Sequence, residues 1–260
     1  MTKDFVKEYW ESQGKIHGDS YLASWGDNWM IDLEIENISK YINDGDSVLD
    51  IGCANGYSTF KQADLHKLVS ITGVDYASSF IAEAHKTKAK KKYGDHFSFL
   101  EGDIRRLPFR DNTFDVAYTT RVLINLPSWQ QQQEGILECI RVVKPNGTIV
   151  LSEAFWEPLV LLNALRSLKS LMPLVEHDFN RYLKMSSLEP FLKKKNLDYQ
   201  INDFSSIYYL GSRFLREIVT NSDDYPGFSN PINKLFYEIE KQFSGGGFGI
   251  QQSVVIKKVM

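Results

Sequence analysis

The stretch that decides the fold is Val48-Leu49-Asp50-Ile51-Gly52-Cys53-Ala54-Asn55-Gly56-Tyr57-Ser58-Thr59. Its apolar first residues predict a short buried strand, and its glycines predict a turn that leads into a helix. Because glycine has no Cβ, Gly52 and Gly56 can adopt backbone angles closed to other residues and let a ligand approach the main chain. The N–H groups that begin the next helix can then hold a carboxylate or a phosphate. The turn is therefore the predicted ligand site.

Strands and helices alternate around this turn. Apolar residues at helical spacing over 31–42 predict a helix before the first strand, and similar patterns predict helices over 129–143 and after Ser78. Ser78 and Ser79 are the expected caps of that helix, and Ser186 with Glu189 predicts a capping box for a later one. Further strands are predicted at 69–75, 96–100, 114–119, 148–153, 198–206 and within 250–259. Such alternation indicates an α/β fold with a mostly parallel sheet and helices on both faces.

Composition limits the classes of function. The 260 residues are 43% hydrophobic and 24% charged, which is typical of one globular domain, and the net charge of −3 gives no basic excess for nucleic acid. The segment Met1–Trp10 lacks an apolar signal core, and charges and a proline interrupt the apolar run Leu159–Val175, so we expect no membrane segment. Cys53 and Cys139 form no disulfide framework, which fits a reducing compartment. These features predict a cytoplasmic protein.

The turn also identifies a family. Its glycines are four apart with Ala54 between them, unlike the Gly-x-Gly-x-x-Gly of dinucleotide sites, which argues against nicotinamide or flavin. Asp50, followed by Gly52, Ala54 and Gly56 at every second position, resembles motif I of the class I S-adenosylmethionine-dependent methyltransferases. That family more often has glycine where this chain has Ala54. The resemblance implies that the turn binds the methionine end of the cofactor. It assigns to this site Asp50, Gly52, Cys53, Ala54, Asn55 and Gly56.

The end of the second predicted strand supplies the next candidates. Asp75 lies about twenty residues beyond the glycine turn, where open parallel sheets present a carboxylate to a ribose. A carboxylate there can accept hydrogen bonds from both ribose hydroxyls, or it can simply cap the following helix. Tyr76 can place its ring along an adenine, or it can cover the edge of the sheet.

Two later segments extend the resemblance. Glu101-Gly102-Asp103-Ile104, followed by Leu107-Pro108-Phe109 and by Phe114-Asp115, is similar to the family pattern in which the acid receives the adenine amino group. The resemblance implies that role for Asp103, a contact from the Ile104 N–H to a ring nitrogen, and close passage of Gly102. Thr120 and Arg121 match the segment beneath the cofactor that faces the acceptor, where Arg121 is expected to contribute mainly backbone.

A structural turn, Arg141 to Gly147, completes four motifs in family order over about 40% of the chain. The chain is thus identified as similar to class I methyltransferases. This resemblance implies a Rossmann-like fold, a mostly parallel seven-stranded sheet with an inserted helical cap, S-adenosylmethionine as cofactor and S-adenosylhomocysteine as product.

Three segments lie outside these motifs in a single predicted domain, 1–260. Residues 1–30 contain Tyr9, Trp10, Tyr21, Trp25 and Trp29, and this segment either folds over the cofactor as a lid or packs as an ordinary helix. Residues 154–185 and 208–243 are predicted cap insertions rich in Phe, Tyr and Leu. They suit an enclosed pocket for a small acceptor and suit homodimerisation equally well.

The expected reaction places an acceptor lone pair behind an activated methyl group. A hydroxyl or ammonium acceptor also needs a base, for which His177 is the leading candidate, with Glu153 and Tyr118 as alternatives. The histidines lack paired metal-ligand spacing, so no metal is expected. We therefore predict O- or N-methylation of a small metabolite such as a sugar, without nucleic-acid or membrane partners. The alternatives are C-methylation of a quinone- or lipid-like acceptor, and a non-catalytic cofactor-binding scaffold.

Overall fold

The computed structural model describes residues 4–220 and 227–259. The strands are β1 (Ser47–Ile51), β2 (Ser70–Asp75), β3 (Phe97–Glu101), β4 (Phe114–Thr120), β5 (Val143–Ala154), β6 (Asp198–Asn202) and β7 (Gln251–Lys257). The helices are α1 (Phe5–His17), α2 (Asn28–Ser39), α3 (Tyr57–Leu65), α4 (Ser78–Lys91), α5 (Trp129–Val142), α6 (Trp156–Ser167), α7 (Met185–Lys194), α8 (Ser206–Leu210), α9 (Arg216–Val219) and α10 (Ile232–Gln242).

The strands form one sheet in the order β3-β2-β1-β4-β5-β7-β6. Neighbouring strands are parallel except that β7 is antiparallel to both β5 and β6. The predicted Rossmann-like, mostly parallel seven-stranded sheet is confirmed. Because β1, β2 and β4 run in the same direction, their carboxyl ends meet at one edge, where open sheets of this kind bind ligands.

Both faces of the sheet are buried, as the near-continuous apolar strands indicate. In β1, Val48 packs into the cluster beneath α2, α3 and α4, whereas Leu49 and Ile51 pack into the cluster beneath α5 and α7. Successive strand residues point to opposite faces, so this alternation fixes the register of β1 between two cores. The loop that follows Ile51 is held in place by that register.

A third apolar cluster joins α2 to the inserted segments. In the predicted insertion 154–185, α6 is followed by an irregular segment that returns to the sheet, where Phe155 bridges to Leu183. In the insertion 208–243, residues 221–226 lie outside the described residues, as do residues 1–3 of the predicted lid and Met260. Among the described helices, none combines the length and apolar character that a bilayer crossing requires.

Two helix starts differ from the sequence patterns. The capping residue of α4 is Ala77 rather than a serine, and the Glu11 carboxylate of α1 accepts hydrogen bonds from the N–H groups of Ser78 and Ser79. Similarly, α7 begins at Met185, and its first N–H groups donate to the Glu157 carboxylate. Carboxylates from other helices therefore cap both N-termini, which local sequence patterns do not reveal.

Candidate active site

A cavity of about 1070 Å³ lies at the carboxyl ends of β1, β2 and β4. The sheet edge forms its floor, and α1 together with the segment 175–182 covers it. Predicted cofactor residues that line it are Gly52, Ala54, Asp75, Tyr76, Gly102, Asp103, Ile104, Thr120 and Arg121. Motifs that are up to 69 positions apart in the chain therefore meet in one cavity.

The glycine turn forms one wall of this cavity. Gly52 and Gly56 have φ angles of 79° and 82°, and a Cβ at Gly52 would lie 2.0 Å from Cγ2 of Val122. The N–H groups of Gly52 and Cys53 both donate to the Val74 carbonyl of the neighbouring strand, at 2.7 and 3.0 Å. Ala54 also has a positive φ, 47°, so alanine adopts there a conformation that glycine adopts without strain. The turn keeps its shape, and the strain of alanine at this positive φ is small.

Four residues assigned to the cofactor site do not line the cavity. Asp50, Cys53 and Gly56 lie beneath the turn, and the fully buried Asp50 carboxylate accepts a 2.6 Å hydrogen bond from the Thr59 hydroxyl. Burial raises the pKa of Asp50 to about 7. Asn55 donates from Nδ2 to the carbonyls of Gly18 and Ser20, at 2.8 Å each. The side chains of Asp50 and Asn55 thus support the turn, and the assignment of these four residues to the cofactor site stays a prediction.

Asp75 joins the turn to the cavity. Its carboxylate accepts hydrogen bonds from the N–H groups of Ala54 and Ala77, at 2.9 Å each, and it also faces the cavity. Burial raises the pKa of Asp75 to about 6, against the opposing effect of these N–H groups. The side chain thus caps α4 and also presents a carboxylate, so the two interpretations of this residue are compatible.

The neighbouring wall carries the second acid. Arg105 donates to both carboxylate oxygens of Asp103 and also to the side chain of Gln131. Burial acts to raise the pKa of Asp103, but the hydrogen bonds and charge of Arg105 outweigh it and hold the pKa below its usual value. Tyr76 stands nearby, with its hydroxyl donating to Asp4 at 2.7 Å. This end of the cavity presents an ionised acid beside an aromatic ring.

An aromatic contact closes the cavity. Tyr9 and Trp10 of α1 meet Phe179 of the cap segment, with ring centroids 4.9 and 6.1 Å apart, and Trp10 also contacts Phe80. Helix α1 is fixed from below by its Glu11 carboxylate on α4. We name the contact of α1 with the segment 175–182 the lid contact.

The three candidate bases differ in position. Glu153 is fully buried behind the wall, where it accepts hydrogen bonds from the Thr119 hydroxyl and from the N–H groups of residues 122–124. Burial raises the pKa of Glu153 to about 7. Tyr118 is also fully buried and does not line the cavity. The structure therefore places both outside the cavity lining, because their strand register turns them into the core. His177 lines the cavity rim and packs against Tyr9 and Phe179.

The predicted backbone role of Arg121 needs a correction. Its φ is 55°, and its side chain enters the cavity wall, where the guanidinium carbon lies 4.5 Å from the centroid of the Trp25 ring. Tyr182 and Tyr209 line the same part of the cavity. Arg121, Tyr182 and Tyr209 come together only when the cap folds over the sheet edge. The sequence alone shows only that an arginine follows the end of a strand.

The donor set of the cavity fits S-adenosylmethionine. An open turn of positive-φ residues leaves backbone accessible, Asp75 offers a carboxylate for ribose hydroxyls, and Asp103 offers one for an amino group. Within the described residues, no cluster of three or more His, Cys, Asp or Glu side chains is arranged to hold a metal ion.

Comparison with known proteins agrees with this geometry. Residues 48–147 match the family described as "Methyltransferase domain". A demethylmenaquinone methyltransferase of Desulfitobacterium hafniense is 34% identical over 107 residues, which cover 41% of this chain and 41% of that protein. The 27-O-demethylrifamycin SV methyltransferase of Amycolatopsis mediterranei is 30% identical over 114 residues, which cover 44% of this chain and 40% of the relative. The chain thus spans about two fifths of the length of these relatives.

A solved structure extends the similarity of fold to the whole chain. It is a chain from the complex between the Haloferax volcanii Trm112 methyltransferase activator and a methyltransferase, with a TM-score of 0.63, 15% identity and coverage of 100% of both chains. The ordered motifs, the sheet and the matching family domain lead to one assignment. Residues 48–147 are similar to the methyltransferase-domain family, and the chain has the Rossmann-like fold of class I S-adenosylmethionine-dependent methyltransferases.

Proposed function

We propose that this protein transfers a methyl group from S-adenosylmethionine to an oxygen or nitrogen of a small-molecule acceptor. The observation that supports this most is the single cavity, which extends from Asp75 and Asp103 to the aromatic side chains of Trp25 in the N-terminal segment and Tyr209 in the cap. Ligand sites commonly measure roughly 300–1,000 Å³, so a cavity slightly above this range suits a cofactor together with an acceptor.

When bound, the cofactor supplies an activated methyl group on a sulfonium. The protein's task is then to orient the acceptor and exclude water. The glycine turn, Asp75 and Asp103 would hold the cofactor at the sheet edge, and the lid contact would close the cavity above it. Aromatic faces such as those of Tyr9 and Trp10 also suit a neighbouring cation.

We propose His177 as the base for a hydroxyl or ammonium acceptor. Of the three candidates, it is the one that lines the cavity, whereas Glu153 and Tyr118 are buried behind the wall. A histidine at the rim can accept the acceptor's proton and release it to solvent. Its packing against Phe179 would also make it part of the lid contact, so its removal would affect acceptor binding as well as proton transfer.

The test is transfer of isotope from methyl-labelled S-adenosylmethionine into a fractionated metabolite extract, with S-adenosylhomocysteine measured in parallel. The wild-type protein should form a labelled product and S-adenosylhomocysteine in equal amounts. Asp75→Asn should lower this transfer at limiting cofactor, whereas the exposed surface variant Asp95→Asn should not. Cofactor binding without transfer to any fraction would instead favour a non-catalytic scaffold.

A second acceptor class is favoured by the cavity mouth. Phe5, Val6 and Val175 line it, which suits a quinone- or lipid-like acceptor methylated on carbon. Nuclear magnetic resonance of the labelled product distinguishes the two proposals, because the chemical shift of a methyl carbon differs when it is bonded to oxygen, nitrogen or carbon.

We also propose that the cap can form a homodimer. Val160 and Leu161 on α6, and Leu168 and Met172 after it, are exposed apolar side chains on one inserted segment. Exposed apolar surface is typical of interaction sites when its side chains adjoin one another. Sedimentation velocity should show a dimer that Met172→Glu dissociates, and a monomer at all concentrations would refute the proposal.

A further inference from the structure

The side chain of Arg121 stands between a buried acid and the cavity. Its side chain is 16% exposed, and Nη2 lies 3.6 Å from Oε2 of Glu34, beyond hydrogen-bond distance. Glu34 is almost completely buried, does not line the cavity, and already accepts hydrogen bonds from Ser152 and Gln251, at 2.6 and 2.7 Å. Glu34 thus balances the charge of Arg121 but does not accept a hydrogen bond from its guanidinium.

No nitrogen of the Arg121 guanidinium donates a hydrogen bond to protein within residues 4–220 and 227–259, and Nη1 is buried without a partner. A buried donor without an acceptor destabilises the folded protein, and more so when it is charged. Such a group in a cavity wall is an unfilled binding position for an acceptor atom of a ligand.

The other cavity-lining cations are already engaged. Arg105 donates to Asp103 and Gln131, and Arg181 donates from Nη1 to the carbonyls of Asp178 and Asn180. Behind the aromatic wall, Arg213 forms a buried ion pair with Asp27. Among the cavity-lining arginines of the described residues, Arg121 is therefore the one whose guanidinium makes no hydrogen bond to protein.

The carboxylates of Asp75, Asp103 and Glu176 do not accept hydrogen bonds from the Arg121 guanidinium. Asp75 and Asp103 line the predicted ribose and adenine wall, and the Glu176 carboxylate accepts from the Tyr182 N–H. Beside Arg121, the wall consists of the aromatic rings Trp25, Tyr182 and Tyr209, which provide an apolar surface for the body of a ligand. A guanidinium held against an aromatic ring has a fixed plane, which suits bidentate contact with a planar oxyanion.

We propose that Arg121 recognises an oxyanion group, a carboxylate or a phosphate, on the methyl acceptor. This inference rests on the proposed methyl transfer and narrows its substrate class to anionic small molecules with an apolar body. Arg121 is then a specificity-determining residue, since a neutral isostere would leave its donors unpaired.

The test uses the full protein saturated with S-adenosylhomocysteine, so that no turnover occurs. Calorimetric titration compares benzoate with neutral benzamide, and phenyl phosphate with phenol. We expect the anion of at least one pair to bind at least tenfold more tightly than its neutral partner in the wild-type protein. In Arg121→Gln, this ratio should fall to within twofold, and Arg121→Lys should keep part of it.

Arg181→Gln is the matched control, because the Arg181 side chain also lines the cavity but donates to backbone carbonyls. This variant should retain the preference for anions. Equal binding of charged and neutral partners by the wild-type protein, including no binding of either, would overturn the inference even if a variant fails to fold. So would an Arg121→Gln variant that loses affinity for S-adenosylhomocysteine and keeps the anion preference, since Arg121 would then serve the cofactor. Failure of the wild-type protein to bind S-adenosylhomocysteine would instead count against the proposed function.

Discussion

Cofactor affinity should depend on the protonation of Asp75. Burial raises the pKa of this carboxyl to about 6, and Asp75 lines the cavity while its two oxygens accept hydrogen bonds from the N–H groups of Ala54 and Ala77. The ionised carboxylate can accept from two ribose hydroxyls, whereas the protonated acid loses acceptor capacity. Binding therefore favours the ionised form, and affinity should be full above pH 7 and decline as the pH falls through 6.

The magnitude follows from the titration. With a pKa of about 6 in the free protein, roughly 90% of the carboxyl is ionised at pH 7 and roughly 10% at pH 5. If the ionised form alone binds, the dissociation constant should rise about tenfold between these values, which corresponds to about 1.4 kcal/mol. Asp75→Asn should weaken binding at neutral pH by about 100-fold, through loss of one or two charge-assisted hydrogen bonds worth about 1.5–3 kcal/mol each.

Calorimetric titration with S-adenosylhomocysteine from pH 5 to pH 8 measures both effects. The control is Asp103→Asn, because Arg105 outweighs burial and keeps the pKa of Asp103 below its usual value, so that this acid stays ionised throughout the range. Asp103→Asn should weaken binding by the same factor at every pH and keep the tenfold pH dependence. A dissociation constant that is independent of pH in the wild-type protein, or equally pH-dependent in Asp75→Asn, would refute the reasoning.

Three other outcomes follow from the geometry. Gly52→Ala should destabilise the fold by about 3 kcal/mol in urea denaturation, because strain from its positive φ costs about 1–2 kcal/mol and the new Cβ meets Val122. Gly45→Ala, where φ is also positive but nothing lies within 4 Å of the new Cβ, should cost about 1–2 kcal/mol, and equal losses would contradict this. Asn55→Ala leaves the carbonyls of Gly18 and Ser20 without their side-chain donor, so it should lower the free energy of unfolding by about 2 kcal/mol. It should also speed proteolysis of α1, and an unchanged cleavage rate would show that these hydrogen bonds do not hold α1 in place. His177→Ala should lower turnover while S-adenosylhomocysteine still binds, and full turnover would eliminate this residue as the base.

The fold could be predicted from the sequence because its strands are short, apolar and separated by clear turn signals. Motif order then brought Gly52, Asp75 and Asp103 to one sheet edge, since parallel strands align their carboxyl ends. The side chains within a motif were harder to place. Asp50 and Asn55 are as polar as Asp75, but the register of β1 and the bend of the turn direct them away from the cavity.

Long-range contacts account for the remaining differences. The sequence around Ser78 indicates a serine cap, but a carboxylate from α1, 67 residues earlier, accepts from that N–H group. The buried position of Glu153 depends on which face of β5 it occupies, and the Arg121 side chain reaches the cavity because Trp25 packs beside it. Such contacts depend on tertiary packing between distant elements, which local patterns do not encode.

A crystal structure of the protein grown with S-adenosylhomocysteine tests the central claim most directly. We predict density in the cavity with the amino-acid end at the turn from Gly52 to Gly56, the ribose hydroxyls on the Asp75 carboxylate and the adenine amino group on Asp103. Density for the ligand elsewhere on the protein, or a ligand in the cavity that contacts neither carboxylate, would contradict the account.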